Sequence, residues 1–196
     1  MIIKKIFSLA ASIIKIFIVI FLLSINSKAE GNNIKQYSED EGILSIMYHR
    51  FDEIKYPSTN IRMEIFLKHI QLIKDLDYKF IHPDEFQNNF DIPKKRKKIL
   101  LTIDDAFQSF YEVAWPYLKK NKIPFILFVS TEPVGNKGYM TWDQINEIEK
   151  ENFTIIGHHS HSHEYLIEKS NKDFIKDIEK ANLIFNKKIG YIPELF

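Results

Sequence analysis

Four of the seven histidines in this 196-residue chain stand at positions 158, 159, 161 and 163, directly after the apolar run FTII at 153 to 156 and Gly157. His159 and His163 are four residues apart, so a helix begun there would put both on one face, with their imidazole nitrogens in reach of one ion. A second cluster, Asp104-Asp105, ends the apolar segment ILLTI at 99 to 103. Successive side chains of a strand point to opposite faces, so two neighbouring carboxylates share a site only if the chain turns there. Such a turn would let one bind a metal while the other stays free as a base. Alone, the aspartate pair reads at least as well as the cap of a following helix. The histidines tilt the balance, because two imidazoles and a carboxylate with open positions recur in catalytic zinc and non-haem iron sites. A solvated polar turn accounts poorly for four histidines at one strand end.

Residues so far apart in sequence need a scaffold to bring them together. Short segments rich in branched and aromatic residues, at 43–48, 79–81, 99–103, 125–129 and 153–156, read as strands buried on both faces. Helical patterns lie between them. Residues 64–76 space Phe66, Ile70, Ile73 and Leu76 by three or four, and 109–120 is a second pattern with Pro116 expected to bend it. Thr141 with Gln144 forms a capping-box signature opening a helix over 141–150, and 171–185 is amphipathic. Strands alternating with helices imply an α/β domain with a parallel sheet, as a barrel or as an open doubly wound sheet. Either architecture puts its chemistry at the carboxyl ends of the strands, where His49, Asp104-Asp105 and the histidine run stand.

With Lys and Arg at 27 and Asp and Glu at 26, the chain carries no charge bias toward nucleic acid. There is no cysteine, so thiolate metal sites, cysteine nucleophiles and disulfides are excluded together. Residues 1–29 combine Lys4 and Lys5, the unbroken apolar run Ile16 to Leu23, and small residues at Ser27 and Ala29, the pattern of a signal peptide. An uncleaved anchor is the alternative, and only then would the membrane be a partner. Export to the periplasm, the cell envelope or the medium is expected, followed by a polar linker over 30–41 and one catalytic domain over 42–196.

TIDDAF at 102–107 resembles the first motif of the polysaccharide deacetylase family, Thr-Phe-Asp-Asp-Gly, and HSHSH at 159–163 resembles the second, His-Ser/Thr-x-x-His. LSIMYHRF at 44–51 and YMTWDQINEI at 139–148 are similar to further segments of that family, so the likeness spans roughly residues 42 to 196. The resemblance implies a distorted (β/α) barrel and metal-dependent hydrolysis of N-acetyl groups from an N-acetylglucosamine-containing glycan. Position by position it implies Asp104 as general base and Asp105, His159 and His163 as ligands of a divalent ion, Zn2+ first, with Co2+, Ni2+ or Fe2+ as alternatives. Ser160 falls on the Ser/Thr position of the second motif and is expected to support the ligand loop. His158 and His161 lie outside the ligand pattern, as surface residues or as a competing pair in a slipped register. His49 is left between a substrate or supporting role and simple packing.

Two departures accompany the likeness. Ala106 replaces the usual glycine, which narrows the backbone freedom of the turn. GYIPELF at 190–196 is similar to the lead into a third motif, so the barrel is expected to be incomplete at the C-terminus and to lack the family's later acid histidine. The resemblance therefore also admits an inactive truncated remnant. Rival classes fare worse. A glycoside hydrolase sets its two carboxylates about 5 Å or more apart across a bond, which neighbouring aspartates are badly placed to do. An exported metal- or carbohydrate-binding protein would use the histidines and have no need of Asp104.

Overall fold

The computed structural model describes residues 42–87 and 97–196. The predicted signal peptide at 1–29 and linker at 30–41 lie outside the described residues. Five parallel strands make the central sheet: β1 (Ile43–Tyr48), β4 (Lys79–Phe80), β5 (Lys98–Asp104), β6 (Phe125–Val129) and β7 (Thr154–His158), in the order β1-β5-β6-β7 with β4 pairing β5. β1 runs beside β5 from Ile43↔Lys98 to Tyr48↔Ile103. β4 meets β5 at its start and β6 meets it at its end, from Thr102↔Ile126 to Asp104↔Phe128. Strands β2 (Arg50–Phe51) and β3 (Asn60–Ile61) form a separate parallel pair just beyond β1.

All seven residues of β5 are buried, as its apolar run requires. β1 departs from that expectation: Leu44 and Met47 are 55% and 58% exposed. It pairs only with β5 among the described strands, so among the described residues no strand lies along its outer edge. Helix α1 (Met63–Asp75) turns Phe66, Ile70 and Ile73 inward, following its three- and four-residue spacing. A short helix α2 (Asp84–Gln87), unforeseen in the sequence, follows β4.

The expected helix over 109–120 is divided. Phe110–Ala114 forms a wider π turn, and α3 (Trp115–Asn121) follows with Pro116 in its first turn. The missing N–H of Pro116 is harmless there, because first-turn donors have no partner within an α-helix. Helix α4 (Trp142–Glu149) has the predicted capping box: Gln144 N–H donates to the Thr141 hydroxyl, and the Gln144 side chain accepts from Thr141 N–H. Helix α5 (Asn171–Ile189) is capped by Ser170 and ends at Gly190, whose φ of 86° suits a residue without a side chain.

The core is strongly aromatic. Phe51 meets Phe66 edge-on at 5.2 Å, Phe110 meets Phe125 at 5.5 Å, and Trp115 meets Phe125 at 5.8 Å. Each such ring, taken wholly out of water, stabilises the fold by about 1.5–3 kcal/mol. Two of these contacts seat β6, the strand between the two clusters of chemical interest, while Phe51 and Phe66 pack beside β1.

Candidate metal centre

β5 delivers the aspartates. Asp104 is its last residue, and the chain then leaves the strand through Asp105 and Ala106, with φ of 71° and 51°. Two consecutive left-handed residues are costly for anything but glycine, so the surroundings must hold them. Met140 N–H donates to Ala106 O at 2.9 Å, Gln108 N–H donates to Gly138 O at 2.9 Å, and Phe107 bridges Tyr139. Ala106 is wholly buried, so the turn is also packed from within. It replaces the alternation of an extended strand and brings both carboxyl groups to the strand end.

β7 delivers the histidines. It extends two residues beyond the expected end, through Gly157 to His158, because Gly157 lies opposite Phe128 and leaves room for that ring. Residues 159–163 form no helix, so the ligand pair does not share the helix face that its four-residue step would otherwise give. They form a loop in which Ser160 and His163 have φ of 68° and 58°. Its bonds account for the shape. His159 N–H donates to Val129 O, the Ser130 hydroxyl to His159 O at 2.6 Å, and Thr131 and Glu132 N–H to Ser160 and His161 O. The Ser160 hydroxyl accepts from His163 N–H at 3.1 Å, the supporting bond expected of that position. Asp177 of α5 accepts from both His161 N–H and Ser162 N–H, at 2.7 and 3.0 Å.

The two strand ends converge. Asp105 Oδ1 is 3.5 Å from His159 Nε2 and 3.0 Å from His163 Nε2, and one donor atom from each residue lies within 4.8 Å of the others. Two atoms bound about 2 Å from one ion stand roughly 3–3.5 Å apart, so small side-chain movements would close this set around a cation. Asp105 Oδ1 is buried with no hydrogen-bond donor, an acceptor that a cation would satisfy. The donors grade from buried Asp105, through His159, to half-exposed His163, so the site opens on the His163 side. An oxygen and two imidazole nitrogens suit a divalent ion of intermediate softness.

Asp104 is 7% exposed, its Oδ1 also lacks a partner, and it stands outside the three-residue donor set. Burial, reinforced by the neighbouring Asp105 charge, pushes its carboxyl up to about 7. Burial also holds His159 below the ordinary histidine value, with Asp105 pulling the other way. His49, half-buried just past β1, is lowered by burial and feels the charges of Asp105 and His163, which puts it at the same mouth.

The other two histidines of the run, His158 and His161, are buried and stand outside the donor set, so they are neither surface residues nor part of it. His158 is 3% exposed; Ser160 N–H donates to its Nδ1, so Nε2 carries the proton and donates to Asn182 Oδ1 at 3.1 Å. Its ring packs beside Phe185 and Phe196. His161 is 6% exposed, with Nδ1 2.8 Å from the Thr131 hydroxyl. Sequence reasoning passed over Ser130, Thr131 and Asp177, which shape the ligand loop. They carry no spacing signal, because each reaches the loop through tertiary contact.

A parallel α/β sheet with an Asp-His-His donor set at the ends of β5 and β7 defines the class of architecture. The chain belongs to the polysaccharide deacetylase family, whose model matches residues 91–196, more than half of its length. It is 26% identical over 184 residues to a poly-beta-1,6-N-acetyl-D-glucosamine N-deacetylase of Staphylococcus aureus, an alignment covering 82% of this chain. The chain spans 62% of the length of that curated relative. Among solved structures it is similar to IcaB from Ammonifex degensii, with a TM-score of 0.69 and 24% identity over 78% of this chain and 72% of the other. It is also similar to the Streptococcus pyogenes deacetylase PplD in complex with acetate, with a TM-score of 0.65 and 25% identity over 77% and 70%. The fold is thus of the (β/α)-barrel type expected from the motifs.

Proposed function

We propose that this chain is a metal-dependent N-deacetylase that removes acetyl groups from an N-acetylglucosamine-containing glycan. The observation that carries the reading is the convergence of Asp105, His159 and His163 beside a buried Asp104 that is not among the donors. Asp105, His159 and His163 would hold the ion, with Zn2+ the first expectation. Such an ion, when bound, acidifies a water and polarises a carbonyl oxygen. Asp104 is the general base, positioned at the site without being spent on the metal. Its burial keeps bulk water away from the carboxyl that must take the proton. His49 stands close enough to feel the charges of Asp105 and His163.

The S. aureus relative, named for poly-beta-1,6-N-acetyl-D-glucosamine, and the deacetylase PplD, in complex with acetate, support an N-acetylated glycan as substrate and acetate as product. Residues 42–196 form the deacetylase domain in this reading. The charged start, apolar run and small residues of positions 1–29 support export, with a linker over 30–41.

The test uses the purified chain, loaded with zinc, on N-acetylglucosamine oligomers, with acetate release as the readout. Asp104→Asn is expected to keep zinc and lose turnover. If the wild type binds zinc and Asp104→Asn releases acetate as fast as it does, the assignment of the base is wrong.

A further inference from the structure

We infer that Asp177, on α5 and 14 residues beyond His163, is a positioning residue for the metal ligands, a role that rests on the metal reading above. Its two carboxylate oxygens accept from the peptide N–H groups of His161 and Ser162, the two residues at the middle of the segment between the proposed ligands. One rigid carboxylate thereby fixes two consecutive peptide planes of the loop. Those planes matter because the residues beside them, Ser160 and His163, hold left-handed backbone that non-glycine residues keep only under constraint. On the opposite side the loop is tied to the segment after β6 by the Thr131 and Glu132 N–H groups. Asp177 supplies the bonds from α5, and without them the peptide planes between the two imidazoles are held from one side only.

The carboxyl of Asp177 supports this role. Burial alone would raise its pKa, but hydrogen bonds from the Ser162 side chain and the two peptides outweigh burial and hold it below the ordinary aspartate value. It is therefore ionised at neutral pH, the state that accepts two N–H bonds. Asp177 is not in the Asp105-His159-His163 donor set, so it acts through the loop and not on the cation.

Zinc affinity, measured by competition with a chromophoric chelator, tests the inference. Wild-type protein is expected to bind one zinc per chain, and His163→Ala to abolish that binding. If wild type binds no zinc, or His163→Ala binds it as tightly, the metal reading itself falls. With that reading intact, Asp177→Asn is expected to weaken zinc at least about tenfold, the scale of loss for residues that orient ligands from behind. It should also alter the visible spectrum of the cobalt-loaded protein, which reports ligand geometry. Ser170→Ala, which removes the cap of the same helix without touching the loop, is the stability control and should leave affinity within about twofold. Asp177→Asn binding zinc like wild type, or Ser170→Ala weakening it equally, overturns the inference. Should Asp177→Asn fail to fold, Asp177→Glu replaces it, shifting the carboxylate by one methylene. A folded Asp177→Glu with wild-type affinity and cobalt spectrum overturns it as well.

Discussion

Replacing Gly157 by alanine tests the packing beneath the histidine loop. A β-carbon on Gly157 would stand 2.4 and 2.5 Å from Cδ1 and Cε1 of Phe128 and 3.0 Å from Cγ2 of Ile126. Carbon atoms in good contact sit about 3.5–4.0 Å apart, so the Phe128 ring must retreat by roughly an ångström. Gly157 and Phe128 face each other across β6 and β7, and Ile126 lies in the same small core as Leu100 and Ile81. Overpacking of this kind costs about 1–3 kcal/mol. Against it stands about 0.4–1 kcal/mol from the stiffer unfolded chain. A clash this close belongs in the upper half of that range, so the net loss is about 1–2.6 kcal/mol, which for a chain of this size lowers the melting temperature by roughly 2–10 °C. Phe128 also lies 6.2 Å from the His159 ring, so zinc affinity should fall with stability. Thermal unfolding followed by circular dichroism reads the first effect and chelator competition the second. A Gly157→Ala protein that melts at or above the wild-type temperature would refute the close approach on which this reasoning depends.

Thr141→Ala removes one half of the capping box of α4 and should cost about 1 kcal/mol, read by urea denaturation. Lys122 ends α3 in left-handed backbone at φ 49°, so Lys122→Gly should stabilise by up to about 1 kcal/mol in the same assay. Glu147 accepts from Tyr111, Lys119 and Trp115, and the hydrogen bonds, that from Tyr111 foremost, lower its carboxyl to about 2. A lowered folded pKa gives stability that is present above the ordinary value of 4.5 and is lost as pH falls toward 2. The carboxylate is 42% exposed, so the effect should stay below about 1 kcal/mol, and Glu147→Gln should flatten melting temperature against pH in that window. His159→Ala removes one imidazole of the donor set, and equilibrium dialysis should find no stoichiometric zinc at micromolar concentration.

The parallel α/β arrangement was legible because it rests on short-range regularities. The apolar runs of β5 and β6 and the spacing of Phe66, Ile70 and Ile73 are visible within a few residues. The capping box at Thr141 is equally local. The convergence of Asp105 with His159 and His163 followed from strand-end logic joined to the two motifs. The shape of the loop joining the histidines was not legible, because a four-residue step shares a face only when the backbone is helical. Here Ser160 and His163 adopt left-handed backbone, which nothing in HSHSH announces. The burial of His158 and His161, left open in the sequence between surface residues and a competing ligand pair, was hidden for a similar reason. Their burial depends on Asn182, Phe185 and Thr131, side chains brought in by α5 and by the end of β6. The exposure of β1 was invisible too, since ILSIMY looks like a strand covered on both sides, and only the order of the described strands leaves it at an edge.

The donor residues follow the ends of β5 and β7, which are not neighbours: β6 runs between them. Adjacent strands are about 4.8 Å apart, so the two carriers are separated by roughly 9.5 Å of sheet. A partly assembled sheet therefore offers a lone carboxylate on one piece and two imidazoles on another, and neither fragment is a competent chelator. On the proposed metal reading, cation capture would be coupled to completion of the three-strand unit, and a seated ion would act as a cross-tie over β6. At a free concentration of 100 times its dissociation constant, that tie would add about 2.7 kcal/mol against unfolding, so stripping the ion would loosen the sheet as well as silence the chemistry.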